Sequence, residues 1–431
     1  MSEFVPIGKI FSEKYAGKEV GLRGWVYRKR SSGGVQFIVL RDSTGVIQIA
    51  VKKENVSEKE YEDVDKALIE SSIAVRGVVK EDKRAPGGYE VEAKKVSVTS
   101  FSEPFPITEH QSTELLLDLR HLWIRSQRLT NIMKARHYMV NYLREFFVSK
   151  GFWEVAPPII TQSACEGGAT VFPIQYFEQK AYLTQSAQLY LEGLIYSLEK
   201  VFCFIPAFRA DRSRTVRHLS EYWTLEPEMA YYNSEQNIQL QEEMISYVCK
   251  KMANHRELLE YFGRNPKELA GVEPPFKRLS YDEALEELAK KGVRKEWGDD
   301  MGVEDEKVLT AEAKKPIVVY NYPKKAKAFY MKINPDNPET VLNNDMLAPE
   351  GHGEIIGGSE RIWEYGELME RMKEQGLNLK EYGWYIDLRK YGSVPHSGFG
   401  LGVERLLKWL LNLEHIRDAI PFPRTMNRVY P

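Results

Sequence analysis

Cysteine is scarce in this chain: Cys165, Cys203 and Cys249 are its only thiols, widely spaced and with no CxxC pair. That excludes a disulfide framework and a cysteine zinc site. An excess of one charge is also lacking, because 60 lysines and arginines meet 62 aspartates and glutamates for a formal net charge of -2. A globally basic nucleic-acid binder is therefore excluded, and any such contact must come from local patches. No apolar run approaches the ~18 residues of a membrane span, and the first residues carry no signal-peptide pattern. Internal repeats and low-complexity tracts do not stand out. The expectation is a reduced, cytoplasmic chain without membrane contact. Its 431 residues, 43% hydrophobic and 28% charged, suffice for two or three domains.

Residues 1–102 read as a small β domain. "KEVGLRGWVYRKR", "VQFIVLRD", "GVIQIAVKK", "SSIAVRGVVKED" and "YEVEAKKVSVTS" are Val- and Ile-rich runs broken by Gly, Ser and Asp turns. With "VSEKEYEDVDKALIES" as a helical insert after the third, five such strands fit an OB-fold barrel. Residues 103–128 form a proline-bearing hinge. From Leu129 the spacing of apolar residues at three and four predicts a long amphipathic helix that stops at Gly151. "FWEVAPPII" reads as a strand and "TQSAQLYLEGLIYSLEKV" as a helix. "FCFIPAFR" and "YWTLEPEMAYY" read as two strands, and "GSVPHSGFGLG" with "VERLLKWLL" as a closing strand and helix. The stretch 253–345 is mixed and charged, and not every element there is assigned. The fold class is α+β.

One segment concentrates charge. "FRADRSRTVRHLSEYWTLEPEMAY" places Arg209, Arg212, Arg214, Arg217 and His218 before two strand residues, Glu226 and Glu228. Strand side chains alternate, so Tyr222, Thr224, Glu226 and Glu228 share one face, and Trp223, Leu225 and Met229 the other. A hairpin brings Arg209 to the glutamate face. In "HSGFGLGVER", Gly398, Gly400 and Gly402 bare one face of a strand on which a flat ligand could lie, and Arg405 follows at a helix start where it suits a terminal phosphate. A Rossmann-type loop is disfavoured, because the spacing is GxGxG and no βαβ context follows.

Together these pieces resemble the class II aminoacyl-tRNA synthetases. "GFWEVAPPII" is similar to their motif 1, "FRADRSRTVRHLSEYWTLEPE" to motif 2 and "GLGVERL" to motif 3; the barrel narrows the likeness to the aspartyl, asparaginyl and lysyl subgroup. "EGGATVFPI", "TQSAQLYLE", "GEIIGGSERI" and "YGSVPHSGFGLGVERLL" resemble the asparaginyl branch. The resemblance covers nearly the whole chain. It implies a catalytic domain at 129–431, built on an antiparallel sheet flanked by helices, that uses ATP and Mg²⁺ to join asparagine to its tRNA through an adenylate. Motif 1 implies a homodimer.

The resemblance also implies roles. Arg209 and Arg405 would be the catalytic cations, on the α- and γ-phosphates. Arg217, His218 and Leu219 belong to the loop reaching triphosphate and adenine, and Tyr222 would stack on adenine with Phe399 or the bare glycines nearby. Glu354, with Asp345, would bind magnesium through hard carboxylate oxygens. Glu166 would hold the substrate ammonium, and Ser186 and Gln188 match positions near its α-amino and α-carboxylate groups. Aspartyl enzymes carry a lysine where this chain has Leu191, expected to look toward the pocket, and Asp where it has Glu226. Both changes favour an amide over a carboxylate. Arg361 is the complication, since a lone arginine would suit aspartate, and an aspartyl enzyme, or one charging both tRNAs, stays open. On the barrel, Arg30, Phe37 and Gln48 would meet the anticodon, the cation tracking phosphate and the ring stacking a base.

Overall fold

The computed structural model describes residues 4–11, 14–162, 165, 170–212 and 217–431. It divides into two compact units, Met1–Trp123 and Ile124–Pro431.

In the first unit, β1 (Glu19–Ser32), β2 (Val35–Arg41), β3 (Val46–Lys52), β4 (Ser72–Glu81) and β5 (Tyr89–Ser100) close into a barrel of order β1-β2-β3-β5-β4. Alternation sends Ile38 and Leu40 of β2 inward to meet Leu22, Ile47, Ile49 and Val91, all fully buried. Each such side chain contributes about 1.5–3 kcal/mol over an exposed one. Gly33 and Gly34 turn β1 into β2 with φ of 57° and 77°, a conformation that suits glycine. The helix Glu58–Lys66 starts at a capping box between Ser57 and Glu60 and packs Val64 into the barrel core. It also ties down the β1–β2 hairpin. Lys29 Nζ donates to the carbonyls of Val64 (3.2 Å) and Asp65 (2.7 Å), and Gln36 Nε2 to Asp65 Oδ1 at 2.7 Å.

The second unit is built on an eight-stranded sheet. In chain order the strands are β6 (Trp153–Glu154), β7 (Ile160–Thr161), β8 (Pro173–Tyr176), β9 (Gln179–Leu183), β10 (Lys200–Phe208), β11 (Glu221–Ala230), β12 (Lys277–Ser280), β13 (Ile317–Tyr320), β14 (Asn343–Ala348), β15 (Gly353–Glu360) and β16 (His396–Gly402). The large sheet runs β12-β13-β14-β15-β16-β11-β10-β6, and β7-β9-β8 form a small second sheet. The six inner strands are antiparallel; only the outermost pairs, β10 with β6 and β12 with β13, are parallel. "FWEVAPPII" is thus not one strand. Pro157 and Pro158 have no N–H for a ladder, so the run breaks into β6 on the large sheet and β7 on the small one. The unassigned stretch supplies β12, β13 and the start of β14.

Two long helices cover the back of the sheet. Gln127–Ser149 is capped by Ser126, whose side chain accepts from Leu129 N. Its Phe147 stacks on Phe202 of β10 at 5.2 Å and approaches Phe399 of β16 at 6.4 Å. Ser234–Met252 sends Asn237 Nδ2 to the carbonyl of Gly398 at 3.1 Å. These two helices lie on one side, and the opposite face carries the helix Gln188–Leu198 and the site. No described helix is long and apolar enough to cross a membrane.

Candidate active site

A cavity of about 630 Å³ opens over β11, β15 and β16. Gly400 and Gly402 form part of its floor, and a Cβ on Gly400 would meet only Glu226 Cγ, at 3.9 Å. The backbone there is bare, as the glycine alternation predicts. Gly398 departs from that expectation. A Cβ on it would lie 2.0 Å from Glu228 Oε2, so protein already fills the space above it. The Phe399 side chain belongs to the other face, where it meets Phe147.

Cations and carboxylates alternate at one end of the cavity. Arg209 extends the β10–β11 hairpin, its N–H donating to the Ser220 carbonyl at 3.0 Å, and its guanidinium lies 6.0 Å from the Tyr222 ring. Arg217 forms a two-point pair with Glu306, which also accepts from Glu354 N at 2.7 Å. Arg405, in the first turn of the helix Val403–Leu410, lies 2.9 Å from Glu354 Oε2 and donates to the Glu354 carbonyl at 3.3 Å. Lys327 lies 3.0 Å from Asp345 and 3.3 Å from Asp300. Leu219 packs with Ile416 and Ile420 beside Tyr222, and both Leu219 and Tyr222 line the cavity.

Protonation follows from this crowding. Burial lowers His218 to about 4, helped by Arg405, Arg217 and Arg209, so it is neutral near pH 7. Burial would raise Glu354, but Arg405, Arg217 and Lys327 outweigh it and hold the group at about 2. Asp345 is pushed up to about 6 by burial and by Glu354, against the opposing pull of Lys327. Asp300, Glu306, Asp345 and Glu354 all face one cavity. Of these, Glu354 and Asp345 flank Gly357, their oxygens 3.5 and 3.6 Å from where a Cβ would lie, and such a pair of hard oxygen donors fits a magnesium ion.

Neutral pairing marks the other end. Glu226 Oε2 accepts from Ser186 Oγ (2.6 Å) and Ala187 N (3.0 Å), and its Oε1 from Thr224 Oγ1 (2.7 Å). Ser186 Oγ also accepts from Gln188 N at 3.1 Å, so it braces the first turn of the helix Gln188–Leu198. Arg361 is not a lone cation. Its Nε and Nη2 each donate to Glu228 at 3.0 Å, and its Nη1 to Ser359 Oγ at 2.6 Å. Both partners are almost fully buried.

Leu191 corrects an expectation. It does not look into the cavity but is fully buried with Ala187, Ile195, Val201, Cys203 and Ile205 between helix and sheet. A step of three along a helix turns the chain some 60° short of a full revolution, and here that is enough to aim Leu191 at the core. The step of four, to Glu192, stays beside Gln188. Glu166 and Arg214 lie outside the described residues. Arg209, Arg217, His218, Leu219, Tyr222, Ser186, Gln188, Glu226, Asp345, Glu354, Arg361 and Arg405 all converge on the one cavity. Sequence reasoning missed Glu228 as a functional partner, although its face was legible, and missed Asp300, Glu306 and Lys327, which sit in a stretch without motifs.

On the barrel, Arg30 lies directly opposite Phe37 across β1 and β2, its guanidinium carbon 4.6 Å from the ring centre. Phe37 is half-buried and points away from Ile38 and Leu40, so it is not barrel core. Gln48 occupies the same outer surface on β3 and donates to Glu90 at 2.9 Å. The accessible part of that face carries a cation and a ring, and the Gln48 amide lies buried beside them.

The family model for "tRNA synthetases class II (D, K and N)" matches residues 112–426, and that for an "OB-fold nucleic acid binding domain" matches residues 20–99. The chain is 47% identical over 426 residues to an asparagine–tRNA ligase of Thermoplasma acidophilum, covering 99% of each chain. It is 52% identical over 419 residues to one of Pyrococcus abyssi, covering 96% of each. Its structure is similar to that of asparaginyl-tRNA synthetase from Pyrococcus horikoshii complexed with asparaginyl-adenylate, with a TM-score of 0.97, 49% identity and full coverage of both chains.

Proposed function

The chain belongs to the asparaginyl-tRNA synthetases of class II, and from that premise we propose that its cavity activates asparagine with ATP and passes it to tRNA. An oxygen of the asparagine carboxylate attacks the α-phosphorus of ATP, and the bond to the β-phosphate oxygen breaks to release pyrophosphate. A ribose hydroxyl of tRNA then attacks the acyl carbon, and AMP leaves. Neither step needs a covalent bond to the protein, so the protein's task is orientation and neutralisation of charge.

Arg209 stands beside the α-phosphate, where charge grows, and Arg405 holds the γ-phosphate. Neutral His218 contacts the nucleotide as a hydrogen-bonding group while Arg217 supplies charge, and Tyr222 stacks on adenine. Asp345 and Glu354 would hold magnesium, which when bound offsets triphosphate charge. Glu166, Ser186 and Gln188 orient the amino acid. Leu191 shapes the pocket only from behind.

The observation that carries the choice of asparagine is the buried Arg361–Glu228 pair. With its charge balanced, Arg361 can donate to the side-chain carbonyl of asparagine but offers no net attraction to aspartate. Glu226 adds a carboxylate that welcomes an amide N–H, directly or through water, and repels a second carboxylate. ATP–pyrophosphate exchange with asparagine and aspartate side by side tests this: exchange with asparagine alone is expected, and equal exchange with both would overturn it. Glu226→Gln should admit aspartate.

The barrel, residues 1–102 ahead of the 103–128 hinge, binds the anticodon through Arg30, Phe37 and Gln48. The chain pairs as a homodimer; exposed Val148, Trp153, Ile159 and Ile160, in and beside motif 1, supply apolar surface for it. Light scattering at micromolar concentration distinguishes dimer from monomer. Three buried cysteine thiols suit a cytoplasmic enzyme.

A further inference from the structure

Behind the cavity wall lies a polar cluster that the reaction above leaves without a task. Glu192, on the helix Gln188–Leu198, is fully buried. Its carboxylate accepts from Tyr385 Oη at 2.8 and 3.0 Å and from Arg389 Nη2, and it faces His396 Nε2 at 3.0 Å. Gln188 joins them, with Nε2 3.0 Å from Glu192 Oε1. Glu192, Glu228 and His396 bring potential ligand atoms within 4.8 Å of one another. Metal binding is nevertheless disfavoured there. Arg389 and Arg361 already balance the two carboxylates, so a divalent cation would meet two fixed guanidinium charges.

We propose that Glu192 is a positioning residue which fixes the end of the Gln188 amide that faces the amino acid. An ionised carboxylate only accepts hydrogen bonds, so the NH₂ of Gln188 must turn toward Glu192. Burial pushes the Glu192 carboxyl up, but Arg389 and then His396 outweigh it and hold the group well below the usual carboxylate range. The planar amide then presents its carbonyl oxygen to the cavity that Gln188 lines. That oxygen accepts from an N–H group of the amino acid and turns away its carboxylate. Amide nitrogen and oxygen are nearly the same size, so without Glu192 half a turn of the amide would convert the acceptor into a donor. Gln188 is the contact and Glu192 sets its polarity. This rests on the asparagine-activating reading of the cavity.

The test is a mutant cycle in ATP–pyrophosphate exchange, with KM and kcat resolved for asparagine and for ATP. Glu192→Gln and Gln188→Met should each raise the asparagine KM by about tenfold, the scale of one hydrogen bond to a charged group. The kcat and the ATP KM should change less than about twofold. In the Gln188→Met background, Glu192→Gln should add almost nothing to the asparagine KM, because the amide it orients is gone. Multiplying effects, or an equal rise in the ATP KM, would overturn the proposal and assign Glu192 a purely structural role. Should Glu192→Gln fail to fold, Glu192→Asp, which keeps an ionised acceptor but withdraws it by one methylene from the Gln188 amide, takes its place in the cycle. An unchanged asparagine KM in Gln188→Met also overturns the proposal. Wild-type enzyme without asparagine-dependent exchange would overturn the parent reading as well, whereas active wild type with independent mutants overturns the positioning role only.

Discussion

The two ends of the cavity use the same kinds of residue in opposite ways. Where the phosphates would lie, Arg405 and Glu354 keep 22% and 30% of their side-chain surface exposed and meet at a single side-chain contact. Where the amino acid would lie, Arg361 and Glu228 keep 3% and 1% and share two parallel contacts. A partly exposed pair is held less firmly and can exchange partners, whereas breaking a fully buried pair costs about 3–5 kcal/mol. The first arrangement suits a ligand that arrives with its own charges and must be released. The second suits a template whose charge must not change. Exchange and discrimination thus divide the cavity between them.

The widest separation of the two ends should come from Arg361→Leu. Leaving Glu228 buried without its partner should lower unfolding stability by about 3–5 kcal/mol in urea titrations, while Arg405→Leu, which leaves Glu354 beside Arg217 and open to water, should cost clearly less. Comparable losses would erase the distinction. Arg209→Ala should reverse the ranking in kinetics, slowing adenylate formation by ~10² or more in single-turnover experiments with little effect on stability. Near-normal pyrophosphate exchange would remove Arg209 from its role. The barrel provides a control outside the cavity altogether. Phe37→Ala should weaken tRNA binding by about 1–3 kcal/mol, read by filter binding, and leave tRNA-independent exchange untouched.

The smallest effect probes the phosphate end by pH. A proton on Asp345 competes with a bound cation, and this group titrates near about 6 while Glu354, at about 2, stays ionised. The magnesium concentration for half-maximal exchange should therefore be flat above about pH 7 and rise toward about tenfold per pH unit below about 6. Asp345→Asn should abolish that slope. A slope unchanged in the variant would place the titrating group elsewhere.

Much of this was legible in the sequence, for identifiable reasons. Period-two runs exposed the barrel strands, and period-3.6 spacing exposed the helix Gln127–Ser149. The arginine loop and the glycine strand stood out because their residue types suit so few purposes. What escaped depended on distant partners. Gly398 looked as bare as Gly400 because nothing local says that Glu228 leans over it. Leu191 looked pocket-facing because helical spacing fixes neighbours along one face but not the direction in which that face points. Asp300, Glu306 and Lys327 stayed invisible because ordinary surface segments carry the same charges, and only folding brings these three to one cavity. The Arg361–Glu228 pair joins residues 133 positions apart, too far for any local pattern to announce.

The tether between the helix Glu58–Lys66 and the β1–β2 hairpin has a consequence for tRNA. Lys29 and Gln36, the neighbours of Arg30 and Phe37, are already bound to that helix, so the proposed stacking ring sits on a stiff support before any base arrives. A base docking on Phe37 would meet little residual motion to suppress, and the ordering entropy of that hairpin is absorbed in folding the barrel. Calorimetry of an anticodon stem-loop should then show a heat-capacity change sized to the stacked surface alone, without the larger value that accompanies folding of a loose loop onto its ligand.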